Sequence, residues 1–247
     1  MTLVLITILP VILLLWFVYK RDYIAKEPIG LLVLLFGVGC FSTFPASLME
    51  SVLMLWCPDV PIISGLYRGF VVAGFSEELC KLLLLALVVW RGRNFNEYFD
   101  GIVYAVFVSM GFACVENFLY VFGQVSYGES LSTGLMRALL AVPAHFLFAV
   151  TMGYHLSFAK FDILAKWKHL FYALFVPVLL HGTYDALLMI PETLNMPFIA
   201  TGLFVVFVLF DIKMWQWGMK RIRQLQILSK QQDFDRKDPF RDFIWKV

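Results

Sequence analysis

Charge is scarce in this chain. Only 15% of its 247 residues are Asp, Glu, Lys or Arg, against about 25% in an average soluble domain. Hydrophobic residues make up 61%, and the mean hydropathy is +0.80. That excess is too large for one soluble core to absorb. The low charge and the 25 Phe exclude a disordered chain. Cysteine is also scarce: four Cys exclude a secreted disulfide scaffold. Cys40, Cys80 and Cys114 read as small core residues, and Cys57 has no evident disulfide partner. The net charge of +2 leaves no basic field for nucleic acid, and no nucleic-acid partner is expected. G-x-S-x-G, H-E-x-x-H and C-x-x-C are all missing, as are internal repeats and low-complexity segments. No cofactor is expected.

Long apolar runs are what the chain does have. A membrane helix needs about 20 mostly apolar residues. Seven runs qualify: Met1–Tyr19, Ile29–Trp56, Gly69–Trp90, Gly101–Phe122, Leu135–Ala159, Leu170–Ile190 and a last one from Pro197 to Trp215 or Trp217. Lys20, Arg21 and Asp22 follow the first run with no small-residue cleavage site, so it reads as an uncleaved span. Lys and Arg gather in alternate gaps: Lys20, Arg21 and Lys26; Arg91 and Arg93; Lys160, Lys166 and Lys168; then the tail from Lys213. The other gaps hold only Arg68 and Arg137, each read as opening a helix. The positive-inside rule then places the N-terminus outside and the C-terminus in the cytoplasm. The expected fold is all-α: a polytopic membrane helix bundle of about seven transmembrane helices. Residues 1–215 form the membrane domain. Residues 216–247 form a cytoplasmic tail that extends the last helix and then lies near the membrane surface, with Phe240, Phe243, Ile244 and Trp245.

Ionisable residues inside spans are the informative ones, since each costs about 2.5–3.5 kcal/mol at the bilayer centre. The third run holds Glu77, Glu78 and Lys81, the fourth Glu116, the fifth His145 and the sixth His181 and Asp185. Lys81 shares a helix face with Glu77 and Glu78 at spacings of four and three, and can neutralise one of them. Asp185 is four residues from His181 and can orient it or support its protonated form. At about 1.5 Å rise per residue, these groups fall in one slab from the midplane into the outer half of the membrane. His155 reads as a helix-bridging packing residue near the cytoplasmic end. Glu50, near an outer end with no evident partner, reads as solvated.

Carboxylates and imidazoles in a water-accessible, low-dielectric pocket suit general acid–base hydrolysis. An ionised Glu takes a proton from water, which attacks a carbonyl. A neutral Glu or a His protonates the leaving amine, and His181 steadies the oxyanion. Zinc bound by His145, His181 and a carboxylate is the alternative, since ligands on separate helices need no local motif. A proton-coupled transporter uses the same residue types, although no second half mirrors the first. A non-enzymatic scaffold would use Gly65 and Gly69, a G-x-x-x-G pair that fits internal packing better.

Three stretches resemble a known family. Glu77, Glu78 and Lys81 fit E-E-x-x-K; Phe112, Glu116 and Asn117 fit F-x-x-x-E-N; His181 and Asp185 fit H-x-x-x-D. These are similar to the motifs of the PrsW-type membrane proteases, relatives of the CAAX prenyl proteases and bacteriocin-processing proteins. Tyr19, Asp22, Glu27, Pro28, Asp100, Gly101, Arg137, Pro143 and His145 agree with the resemblance, which covers roughly residues 15–190. It implies a glutamic-type intramembrane endopeptidase in a bacterial cytoplasmic membrane. Its catalytic set would be Glu77, Glu78, Glu116, His145, His181 and Asp185, supported by Lys81, Asn117 and Arg137. Glu77 would be the base for water. Where the CAAX relatives carry His and Asn, this chain has Glu116 and Asp185; an ionised Asp cannot donate to an oxyanion. The implied partners are the bilayer and a membrane-anchored protein substrate, such as an anti-sigma factor cut on its extracytoplasmic side to start a stress response.

Overall fold

In the computed structural model, residues 1–194 and 197–237 are described. They form α1 (Thr2–Arg21), α2 (Ile29–Met54), α3 (Pro61–Tyr67), α4 (Ser76–Val89), α5 (Asp100–Phe122), α6 (Tyr127–Met136), α7 (Val142–Phe161), α8 (Lys166–Leu194) and α9 (Pro197–Lys237). No strand occurs among the described residues. The π-helical segment Arg68–Phe75 joins α3 to α4 without a break, and Arg137–Ala141 joins α6 to α7 in the same way. Arg68 and Arg137 therefore lie inside continuous helices, not at the helix starts that their position in short gaps suggested. The second of these helices starts earlier, at a capping box made by Ser126 and Glu129.

Among the described residues, six helices are long and apolar enough to cross a membrane: Thr2–Arg21, Ile29–Met54, Asp100–Phe122, Tyr127–Phe161, Lys166–Pro191 and Phe198–Lys237. The expected third run is helical but differs in kind. It is split between a π-helical stretch and a 14-residue α-helix, and it carries Glu77, Glu78 and Lys81. It is sheltered by its neighbours.

α5 is the axis of the bundle, with 67% of its most apolar window buried, against 17% for α1. α2, α1 and α7 pack around it, while α8 lies along α7 and the Arg68–Phe75 segment. Several helix crossings are tight enough to require glycine, two of them on α7 and α8. A Cβ on Gly153 of α7 would run into the Gly101 carbonyl of α5. A Cβ on Gly69 would lie 2.9 Å from the Gly182 carbonyl oxygen of α8. The second crossing brings the turn holding Glu77 and Glu78 against the turn holding His181. It also assigns Gly69 to internal packing, as does Gly65, where a Cβ would meet Ile190 at 2.7 Å.

The lipid-facing surface is as apolar as the sequence requires, with Trp16, Leu34, Phe44, Leu87, Phe204 and Leu209 exposed. α9 runs well past the expected end of its span. Its last turns dock on the end of the bundle where α1 stops: Gln226 donates to the Arg21 carbonyl at 2.8 Å, and Ser229 Oγ accepts from Phe99 N at 2.8 Å. Arg236 reaches the Asn96 carbonyl there as well. Phe240, Phe243, Ile244 and Trp245 lie outside the described residues.

That same end carries a second set of buried acids. Glu27 Oε2 accepts from the Tyr104 hydroxyl at 2.6 Å, Asp22 Oδ2 from Glu27 N at 3.2 Å, and Asp100 Oδ2 from Asn96 N and Glu97 N at 2.9 and 2.6 Å. These carboxylates close loops and stand apart from Glu77, Glu78 and Lys81. His155 bridges α7 to α8, its Nδ1 3.1 Å from His169 Nδ1.

Candidate active site

Helix periodicity builds the first wall. Glu77, Glu78 and Lys81 sit one turn apart on α4, and all three are buried. Their spacings of four and three converge on one point. One ammonium therefore reaches both carboxylates: Lys81 Nζ donates to Glu77 Oε2 and to Glu78 Oε1, each at 2.9 Å. Its third contact is His145 Nδ1 on α7, at 3.3 Å. The Phe112 ring of α5 covers the ammonium at 3.9 Å from its centroid. This answers the insertion cost of three charges on one helix. The charges meet each other and an aromatic face, away from lipid.

α5 and α7 supply the second wall. Glu116 Oε2 lies 2.8 Å from His145 Nε2 and 2.7 Å from Arg137 Nη2. Arg137 Nε also donates to Asn117 Oδ1 at 2.7 Å. The π-helical segment Arg137–Ala141 separates Arg137 from His145 on one continuous helix. Such segments shift the register of the next turn and recur at functional sites. Here both side chains converge on one carboxylate oxygen.

α8 supplies the third wall. His181 Nδ1 is 3.0 Å from Glu78 Oε1, and Nε2 is 3.3 Å from Asp185 Oδ2 and 4.0 Å from Glu77 Oε2. Phe148 stacks on the imidazole at 4.7 Å between centroids. With carboxylates at both nitrogens and a ring on its face, the imidazole has one orientation. The Asp185 contact is the one expected from its spacing. The structure thus joins Glu77, Glu78, Lys81, Glu116, Asn117, Arg137, His145, His181 and Asp185 into one network.

A cavity of about 260 Å³ opens onto this network, lined among others by Thr43, Ser47, Glu50, Arg68, Glu77 and Glu116. Glu77 is on its wall and Glu78 is not. The volume is room for several waters, at about 30 Å³ each. Glu50 has a place at the site that the sequence reading does not give it. It is half-buried and faces the cavity beside Glu77 and Glu116, because α2 leans its last turns over the site. Its signal in the sequence was a lone carboxylate in an apolar run, discounted for lying near a helix end. Phe148 had no signal at all, since nothing in the chain marks one Phe among 25 as a wall for an imidazole.

One ligand atom from each of Glu77, Glu78, His145 and His181 lies within 4.8 Å of the others. Two imidazoles and two carboxylates are donors that zinc accepts. As arranged, however, the Lys81 ammonium contacts three of the four. A resident metal ion does not fit this geometry unless Lys81 leaves.

Residues 27–212 match a family model described as "PrsW family intramembrane metalloprotease". The protein named Protease PrsW from Clostridioides difficile (strain 630) is 33% identical over 228 residues, 92% of each chain. Protease PrsW from Bacillus subtilis (strain 168) is 32% identical over 231 residues, 91% of this chain and 96% of its own. Protease PrsW from Halalkalibacterium halodurans is 34% identical over 183 residues, 74% of this chain and 81% of its own. No solved structure matches. The metal in the family description is at odds with the filled centre of the donor set. With bacterial membrane proteases as relatives over nine-tenths of its length, and with its own membrane-spanning helices, the chain belongs to the PrsW family of intramembrane proteases.

Proposed function

We propose that this protease hydrolyses a peptide bond of a membrane-anchored protein with a water molecule activated by Glu77, making it glutamic in type. The carrying observation is the placement of Glu77. It lines the cavity, while Glu78 and Lys81 stand behind it as a hydrogen-bonded frame and His181 Nε2 lies 4.0 Å from its carboxylate. Glu77 takes a proton from water as the oxygen attacks the carbonyl carbon. The carbonyl π electrons move to oxygen, and a donated hydrogen bond from His181 steadies the oxyanion. Collapse breaks the C–N bond, and the amine leaves with the proton that Glu77 accepted. Asp185, at 3.3 Å, holds His181 in its donating orientation and stabilises positive charge on the ring. Glu116, anchored by Arg137, fixes His145 on the far side of Lys81. Glu77, Glu78, Glu116, His145, His181 and Asp185 make up the catalytic set, with Lys81, Asn117 and Arg137 in support.

In this account residues 1–215 are the membrane domain and 216–247 the cytoplasmic tail. The helix containing Glu77 is a seventh span, with the N-terminus outside. The cavity then faces the outer half of the bilayer, where an extracytoplasmic first cut in an anti-sigma factor would be made and a stress response started. The test is co-expression with tagged single-span membrane proteins, anti-sigma factors included, with products mapped by mass spectrometry. A product cut at the outer membrane boundary, and absent with Glu77→Gln, is expected. Cuts on the cytoplasmic side would overturn the orientation.

The donor set of Glu77, Glu78, His145 and His181 favours a second reading, a metal-dependent hydrolase. Inhibition by 1,10-phenanthroline with recovery on adding zinc would support it. Full activity of metal-depleted protein would remove it.

A further inference from the structure

The centre of the four-donor set is held by a side chain of the protein itself. Lys81 Nζ has three hydrogens and three partners: Glu77 Oε2 at 2.9 Å, Glu78 Oε1 at 2.9 Å and His145 Nδ1 at 3.3 Å. Phe112 closes another side, its centroid 3.9 Å away. The residue is fully buried, so no water competes for these contacts. The ammonium thus engages the lone pairs that a metal ion would need, on three of the four donors. Its tether makes this arrangement hard to avoid, because positions three and four residues back on a helix face the same point.

We propose that Lys81 is a positioning residue whose ammonium stands in the place of a metal ion, and that removing it converts Glu77, Glu78, His145 and His181 into a divalent-metal site. This rests on the reading of Glu77 as the base that activates water. Without the ammonium, two buried carboxylates and two imidazoles remain, with ligand atoms within 4.8 Å of one another. Ligands of a tetrahedral zinc, each about 2.0–2.2 Å from the ion, lie about 3.4 Å apart. The charge that Lys81 supplied is restored by the ion, and imidazole with carboxylate selects zinc or cobalt over magnesium. The wild-type enzyme therefore uses a covalently tethered cation and needs no exchangeable one.

The test measures metal content, without any substrate. Purified wild type, Lys81→Ala and Lys81→Met are stripped with chelator, incubated with zinc sulfate, desalted and analysed by mass spectrometry for bound zinc. Cobalt(II) in place of zinc reports tetrahedral coordination through its visible absorption. The expected result is no retained zinc in wild type and about one ion per chain in the Lys81 variants, lost again when His145→Ala is added. Wild type that retains about one zinc, released by His181→Ala, would overturn the proposal even if neither Lys81 variant folded. Folded Lys81→Met that takes up no zinc would overturn it as well. A metal-free wild type that cleaves no substrate would count against the Glu77 mechanism and leave the assignment of Lys81 standing.

Discussion

His145 accepts a hydrogen bond from Lys81 at one ring nitrogen and faces Glu116 with the other. The distances are 3.3 Å from Lys81 Nζ to Nδ1 and 2.8 Å from Nε2 to Glu116 Oε2. An ammonium can only donate, so Nδ1 is the acceptor and the proton sits on Nε2, directed at Glu116. One imidazole therefore ties α4 to α5 through α7 with a fixed tautomer.

The Glu116–Arg137 pair tests this wall. The two side chains are 18% and 14% exposed and 2.7 Å apart. Removing one partner leaves a largely buried charge. Arg137→Met should destabilise the protein by about 3–5 kcal/mol. Adding Glu116→Gln to that variant should recover most of the loss, and neither variant should regain full activity. Thermal unfolding in detergent and a cleavage assay on the same preparations check both parts.

His181 and Asp185 should separate by magnitude. Removing the donor to an oxyanion costs about 10²–10³ in turnover, and His181→Ala is expected to lose that much. Asp185→Asn keeps an oxygen near Nε2 but removes the charge. It should lower turnover less than His181→Ala and leave KM nearly unchanged. Steady-state kinetics on a mapped substrate peptide measure both.

The contrast between Asp185 and Glu50 shows what the sequence made legible. Partners on one helix follow from spacing, so Glu77–Lys81, Glu78–Lys81 and His181–Asp185 were readable as pairs. The shared depth of Glu116, His145 and His181 followed from topology and rise per residue. Which neighbour closes over the site depends on how α2 tilts, and spacing is silent on that. The place of Glu50 on the cavity wall is accordingly not legible in the sequence. The start of the helix through Arg137 was missed for a local reason. Ser126 and Glu129 cap an amphipathic turn too polar to count as part of an apolar run. The third partner of Lys81, His145 Nδ1, needs two helices to meet at atomic distance, which no single-helix periodicity encodes.

Filling the cavity should stop catalysis without disturbing the network behind it. Ser47 lines the cavity from α2 and is exposed. Ser47→Trp is expected to lower kcat/KM by at least about tenfold while the melting temperature stays within a few degrees, as for surface substitutions generally. Equal activity would place substrate entry elsewhere.

The acids at the opposite end give the protein a pH signature. Burial pushes the Glu27 and Glu97 carboxyls up to about 7, against an ordinary value of 4.5. A raised carboxyl favours the protonated folded form. Its stabilising contribution is full below about 4.5 and lost as pH rises through about 7. Stability in detergent should therefore fall across that window. Glu27→Gln, which can still accept from Tyr104, should flatten the profile. A variant profile as steep as that of wild type would assign the slope to other groups.

The most direct test of the account is single-turnover cleavage of a mapped substrate by wild type and by Glu77→Gln, each reconstituted in liposomes at matched protein levels. The account predicts that Glu77→Gln binds the substrate with unchanged affinity and yields no product over many wild-type half-times. Product formation by Glu77→Gln at a rate near that of wild type would contradict it.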